Sequence, residues 1–160
     1  MEYIFNQCIL KSIWPNCLKS AEIVPIFKSG DKHFSENYRL ISLISNFANI
    51  LEKLTHNRLI KFLNTSNILA NKQFGFRRNK GNNDALSFVT NTIYNNISDS
   101  IPTIATFLDL KKAFDTVNYN ILFKKLHYYG LRGSILDLLK DYLTNRVQKV
   151  RQGKIYSTSR

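Results

Sequence analysis

The sequence predicts an α+β fold, richer in helix than in strand, and three features carry that prediction. Apolar residues recur at three- and four-residue spacing in several windows, β-type runs are short and few, and Gly, Pro and Asn punctuate the intervals. With 160 residues, 44% of them hydrophobic, the chain can bury a core, and no repeat, low-complexity tract or long linker divides it.

Taken in order, Ile4, Phe5, Cys8, Ile9 and Ile13 share one helical face, and Pro15 ends that helix. It opens almost at Met1 with nothing ahead to cap it, so the expectation is a piece of a longer protein. "AEIVPIF" suits a strand, with Pro25 held to an edge or bulge because it has no N–H for a ladder. "KSGDKHFSEN" reads as a loop and "LISLI" as a second strand. Asn46 reads as a cap for a helix to Leu63, with Phe47, Ile50, Leu51 and Leu54 at the offsets of a buried face.

"QFGFRRNKGNN" is a glycine-punctuated basic loop, followed by a helix marked by Ala85, Phe88, Val89, Thr92 and Ile93 that ends near Ser98. "TIATFLDL", residues 103–110, alternates as a strand does, with Ile104 and Leu108 on one face and Ala105, Phe107 and Asp109 on the other. Asn118 can cap a helix through Tyr129 that stops at Gly130, and Ile135, Leu138, Leu139 and Tyr142 mark another. "RVQKVRQGKIY" reads as a basic hairpin turning at Gly153.

Lys and Arg number 23 against 11 Asp and Glu, a formal net charge of +12. That balance favours a polyanionic partner, because neutralised phosphates release counterions. No apolar run is long enough to span a bilayer, so no membrane role is expected, and Glu2 stands where a secretory signal would carry basic residues. The chain is expected inside the cell, with no import cluster to distinguish nucleus from cytoplasm. Cys8, Cys17, His33, His56 and His127 have no zinc-ligand spacing.

Chemistry concentrates in "FLDLKKAFDTV". Nucleotidyl transfer uses divalent ions held by carboxylates on rigid elements, and an Asp at the end of a strand suits that. Asp109 has this position, with the Leu110 carbonyl beside it as a second oxygen donor; the alternative is an Asp that merely caps the next turn. Asp115 suits helix capping better. Lys111 and Lys112 either meet phosphates or face solvent, and Phe114 either lies under a sugar or joins the core.

"FLDLKKAFDTV" resembles the first catalytic motif of reverse transcriptases, in the form used by non-LTR retrotransposons of the jockey-like and related insect clades. Further segments agree in order. "AEIVPIFKSGD" is similar to the first fingers strand, "NYRLISLIS" to the "YRPISLL" segment, and "ILEKLTHNRLIKFL" to the helix after it. "NKQFGFRRNKGNNDAL" is similar to the "QFGFR" block and "LKDYLTNRVQKV" to the "YL.nR.q.V" element. The likeness covers residues 3 to 152.

The resemblance implies a partial right-hand polymerase fold, with residues 1–102 as fingers and 103–160 as the beginning of the palm. The parent enzyme would join deoxynucleoside triphosphates to a DNA primer on an RNA template with two Mg2+ ions. Asp109 and Leu110 would then hold metal, with Asp109 catalytic; Lys28, Arg39, Leu110 and Phe114 would line the nucleotide, Phe114 as a gate against a 2′-hydroxyl. Gly75 would free the backbone of a template-side loop in which Arg77, Arg78 and Lys80 reach phosphates while Phe74 and Phe76 stack or pack. Arg146 and Lys149, with Arg151 and Lys154, would lie along nucleic acid.

Two positions depart from the family pattern: Leu40 replaces the usual proline, which should loosen the turn that aims Arg39, and Asn82 stands near a usual threonine. The family continues with "GVPQGS", a hairpin bearing paired aspartates and the rest of palm and thumb, and the 160 residues contain no adjacent acidic pair. The resemblance therefore implies a fragment without polymerase activity, with an exposed strand edge at 103–110 and marginal folding. The alternative is a non-catalytic basic RNA-binding or interaction module.

Overall fold

The computed structural model describes residues 2–110, 112–153 and 155–158; Lys111 and Lys154, named above, lie outside these. The fold is mixed α+β, as the periodicities predict. Helices α1 (Glu2–Lys11), α2 (Asn46–Thr65), α3 (Asn82–Ser98), α4 (Tyr119–Tyr128) and α5 (Ser134–Leu143) accompany strands β1 (Ser20–Phe27), β2 (Tyr38–Leu43), β3 (Val147–Gln152) and β4 (Ile155–Tyr156). None of the described helices is long and apolar enough to cross a membrane.

The chain divides into two compact units, Met1–Arg58 with Asn118–Arg160, and Leu59–Val117. In the first, the strands form one sheet in the order β2-β1-β3-β4. β1 runs antiparallel to β2, from Glu22 opposite Leu43 to Phe27 opposite Tyr38, and parallel to β3, from Ser20 opposite Val147 to Ile23 opposite Val150. Pro25 thus sits beyond the reach of β3, where β1 is locally an edge and a missing donor costs no rung. The β3–β4 hairpin pairs Arg151 with Tyr156 around Gly153, whose φ of +63° is the left-handed backbone that glycine adopts freely.

The core of this unit gathers Phe5 and Cys8 of α1, Trp14, Leu51 of α2 and Leu138 of α5, with Ile9, Leu18, Ile135 and Tyr142 packed around them. Burial pushes the Cys8 thiol pKa up, consistent with an inert packed cysteine. Ile4 and Ile13, expected on the buried face of α1, are 58% and 55% exposed. α2 buries Ala48, Leu51 and Thr55, whereas Phe47, Ile50 and Leu54 face outward. The buried stripe of α2 is thus rotated from the expected one, running through Ala48, Leu51 and Thr55, with Leu51 in the core cluster. Its cap is also one residue earlier than expected: Ser45 Oγ accepts from the Ala48 N–H at 3.2 Å.

α4 starts as its sequence dictates, with Asn118 Oδ1 accepting from the N–H groups of Asn120 (3.0 Å) and Ile121 (3.2 Å). Gly130, at φ +95°, ends it.

In the second unit, α3 begins where Asp84 Oδ2 accepts from the Gly81 N–H at 2.6 Å, and ends with the Ile101 N–H donating to the Asn96 carbonyl at 2.7 Å. The expected strand at 103–110 is not formed among the described residues, and residues 101–110 are exposed. Alternation assigns side chains to faces, but a strand exists only where a second strand supplies its hydrogen bonds.

Candidate functional site

Lys28 and Arg39 belong to the β1–β2 ladder. The Lys28 N–H donates to the Asn37 carbonyl at 2.8 Å, which extends the ladder by one rung, and Arg39 lies opposite Ile26. Successive rungs alternate faces, so Lys28 and Arg39 emerge on the same face as diagonal neighbours, both exposed. The connecting loop is fastened by Asn37 Nδ2 donating to the Asp31 carbonyl (2.7 Å) and Tyr38 Oη to that of Lys32 (3.0 Å). A side chain at Gly30, φ +92°, would meet Asn37 Nδ2 at 2.8 Å, so glycine is needed there.

Leu40 does not loosen this arrangement. It lies inside β2 opposite Pro25, on a rung between hydrogen-bonded ones, so its N–H points off the open edge of the sheet. A proline there would remove no ladder bond. The expected turn at Arg39 is a strand.

The parallel pairing of β1 with β3 adds to the same face. Lys149 lies opposite Glu22, and Arg151 Nη1 reaches Glu22 Oε2 at 3.2 Å, so Lys28, Arg39, Lys149 and Arg151 share one face on which Glu22 is the acid. Val24, Ile26, Ile41 and Leu43 lie between them.

Arg146 is differently placed. Its guanidinium sits 4.7 Å from the centre of the Tyr142 ring and 3.9 Å from Glu52 Oε1. Tyr142 in turn donates to Glu52 Oε1 at 2.8 Å and packs on Trp14 with ring centres 4.4 Å apart. Burial first, then the Glu52 hydrogen bond and charge, push the Tyr142 phenol up to about 12. These contacts engage Arg146 with its own unit.

The remaining candidates lie in the second unit. Phe74 is half-buried, with its ring centre 5.9 Å from that of Phe88 and Lys80 Nζ 5.4 Å from its centre. Lys80 Nζ also donates to the Asn71 carbonyl. Arg78 is exposed; Arg77 is half-buried, its Nη1 shielded from solvent with no hydrogen-bond partner among the described residues. A side chain at Gly75 would meet nothing within 4 Å, and the left-handed backbone of the loop falls on Phe76, φ +57°, and Asn79, φ +59°. The conformational freedom expected of Gly75 is therefore not what shapes this loop.

Asp109 and Leu110 are exposed, and Phe114 is 77% exposed in the turn that follows. Its ring stands edge-to-face against Phe76, with centres 6.1 Å apart and planes at 87°. Asp115, whose N–H donates to the Lys112 carbonyl at 3.0 Å, lies within the turn and caps no helix; Asn118 does. Among the described residues no three His, Cys, Asp or Glu side chains converge as a metal site would require. Asp109 belongs to no such cluster among the described residues, which do not by themselves make up a two-ion site.

Sequence reasoning missed Lys19. Its ammonium, 2% exposed, donates to Asp141 Oδ1 at 2.8 Å, while Asp141 Oδ2 accepts from the Trp14 N–H at 2.6 Å. The Lys19 carbonyl accepts from the Val147 N–H at 3.1 Å, the bond that begins the β1–β3 pairing. Nothing local in "CLKSAE" distinguishes this lysine from a solvated one.

Residues 26–160 match the family model for reverse transcriptase (RNA-dependent DNA polymerase), and the chain belongs to that family. It is related to the reverse transcriptases of non-LTR retrotransposons of the jockey and R1 type. It is 33% identical over 164 residues to a probable RNA-directed DNA polymerase from transposon BS of Drosophila melanogaster, covering 98% of this chain and 17% of that protein. To the RNA-directed DNA polymerase from mobile element jockey of the same species it is 32% identical over 115 residues, 71% of this chain and 13% of the relative. The chain thus spans less than a fifth of either relative.

Proposed function

We propose that this chain is the fingers and early-palm part of an RNA-directed DNA polymerase of a non-LTR retrotransposon, and that its own capacity is to bind nucleic acid without joining nucleotides. The parent protein would extend a DNA 3′ end on an RNA template, with Asp109 and the Leu110 carbonyl as metal ligands and Phe114 as the gate beneath the incoming sugar. Family membership supports the class of reaction. The observation that carries the binding reading is the sheet face bearing Lys28, Arg39, Lys149 and Arg151 against the acid Glu22.

Exposed and basic, such a face suits the phosphates of a strand laid across it, with affinity that falls as salt rises because counterions are released. Anisotropy titrations of a labelled RNA oligonucleotide at several salt concentrations test this. Binding whose salt slope drops by about one for each of Lys28→Ala, Arg39→Ala and Lys149→Ala is expected; salt-independent binding, or none, overturns it.

A primer-extension assay with Mg2+ should give no product. Template-dependent incorporation that Asp109→Ala abolishes would overturn that half of the proposal.

A further inference from the structure

The two edges of the sheet in the first unit are finished differently. β4, at one edge, is two residues long, and so short an edge gives another strand little to pair with. β2, at the other, is six residues long and has no neighbour on its outer side among the described residues. Its hydrogen-bonded rungs to β1 fall on Arg39, Ile41 and Leu43, in step with the Lys28–Asn37 bond, so Tyr38, Leu40 and Ser42 turn their backbone groups outward. The Tyr38 N–H already donates to the Ser35 carbonyl. Those of Leu40 and Ser42 have no partner among the described residues, and the stretch from Arg39 to Leu43 is exposed.

The devices that blunt an edge strand are missing from this one. A lysine, an inward-pointing charge, a bulge or a proline would each discourage pairing. β2 contains no lysine, its register against β1 is unbroken, and Arg39, its one charge, lies on the exposed face of the sheet. Leu40, 67% exposed, supplies the N–H that a proline at this position would withhold.

The placement of the free groups selects what they would meet. Laid antiparallel against itself about a twofold axis at Leu40 or at Ile41, β2 gives each outward N–H of Leu40 and Ser42 a carbonyl of the other copy and makes no demand on the Tyr38 N–H. In either register Arg39 stands opposite Ile41 or Leu43 of the other copy, so no like charges face each other directly. Such a contact is closed, because each copy covers the other's long edge and only the short β4 edges remain.

We propose that two copies of this chain associate through their β2 edges into one sheet, with the twofold axis perpendicular to it. Paired residues of an antiparallel ladder point to the same side, so the faces bearing Lys28, Arg39, Lys149 and Arg151 in the two copies lie side by side. The association uses backbone groups and does not depend on the nucleic-acid reading above.

The test is sedimentation velocity on the purified full chain over a micromolar concentration series, in salt high enough to screen the repulsion between two molecules of charge +12. A reversible monomer–dimer equilibrium is expected, with the Leu40 and Ser42 amides exchanging more slowly with deuterium as concentration rises. Leu40→Pro removes an outward donor from each copy and no ladder bond within the chain, and should raise the dimer dissociation constant about tenfold. Leu40→Val should leave it within about twofold. Leu40→Lys keeps the N–H and changes only an exposed side chain, so it should weaken association with the circular dichroism spectrum unchanged, and it decides the matter where proline disturbs the strand. A chain that stays monomeric throughout the series overturns the proposal. So does a dimer that Leu40→Lys leaves intact, a dimer whose Leu40 and Ser42 amides gain no protection, or growth past the dimer into longer arrays.

Discussion

The Lys19 ammonium donates to the Asp141 carboxylate at 2.8 Å across 122 residues of sequence, and it does so from a position only 2% exposed to solvent. The other carboxylate oxygen holds the Trp14 backbone N–H. One carboxylate on α5 thereby fixes both Trp14, in the segment that follows α1, and Lys19, the residue just before β1.

Removing either partner should have unequal effects. Asp141→Ala leaves an ammonium buried without its counter-charge and is expected to cost about 3–5 kcal/mol. Lys19→Met leaves a carboxylate that is one-third exposed, keeps the Trp14 N–H and can reach water, and should cost about 1 kcal/mol. Urea unfolding of the two variants gives the order directly. Equal losses would mean that the lysine gains nothing from its partner.

The same pair sets a dependence on acid. The Lys19 hydrogen bond, aided by the Trp14 N–H and the lysine charge and opposed by desolvation, holds the Asp141 carboxyl below its ordinary value of 3.8. A depressed folded-state pKa contributes stability that is fully present above the unfolded value and lost as pH falls through the folded one. Thermal midpoints should therefore decline below about pH 4, and Asp141→Asn should flatten that decline.

Asn118 makes a cleaner local test. Asn118→Ala removes the acceptor for two N–H groups at the start of α4 and should cost about 1 kcal/mol, while Asn118→Asp or Asn118→Ser should retain most of it. Chemical denaturation read by circular dichroism measures the difference.

Arg146 and Lys149 are three residues apart and should respond differently to the same change. Arg146→Ala removes a guanidinium stacked on Tyr142 and near Glu52, so its effect is expected in the unfolding midpoint. Lys149→Ala removes an exposed cation on the sheet face, so its effect is expected in RNA affinity at low salt with stability within about 0.5 kcal/mol. Measuring both quantities on both variants separates the two roles.

What the sequence made legible was whatever is decided locally. The Asn118 cap, the Gly130 stop, the Gly153 turn and the placement of Pro25 follow from rules that act within a few residues, and the structure agrees with each. The rotated face of α2 was not legible, because apolar residues flank both sides of the stripe and only the neighbours' shapes select Ala48, Leu51 and Thr55. The buried Lys19 was hidden for a stronger reason: its partner is remote in sequence, and an unpaired lysine and a paired one look alike in a string of letters. At 103–110 the pattern gave the faces of a strand but could not give it a neighbour. For the candidate site, Lys28 and Arg39 could be named from their motifs, yet their shared face with Lys149 and Arg151 came only from the β1–β3 register. That Phe74 packs while Phe76 is exposed likewise required coordinates, since both read as aromatic residues of one loop.

The parallel pairing of β1 with β3 imposes an order of events during synthesis. When β1 leaves the ribosome its β2 side can close at once, but the side that receives Val147 must wait until roughly 130 more residues are added, on the order of ten seconds at ~5–20 residues per second. Through that interval the nascent chain carries an open strand edge and an ammonium at Lys19 awaiting its carboxylate. Chaperone engagement during translation is the expected cost of a sheet sewn together from the two ends of the sequence.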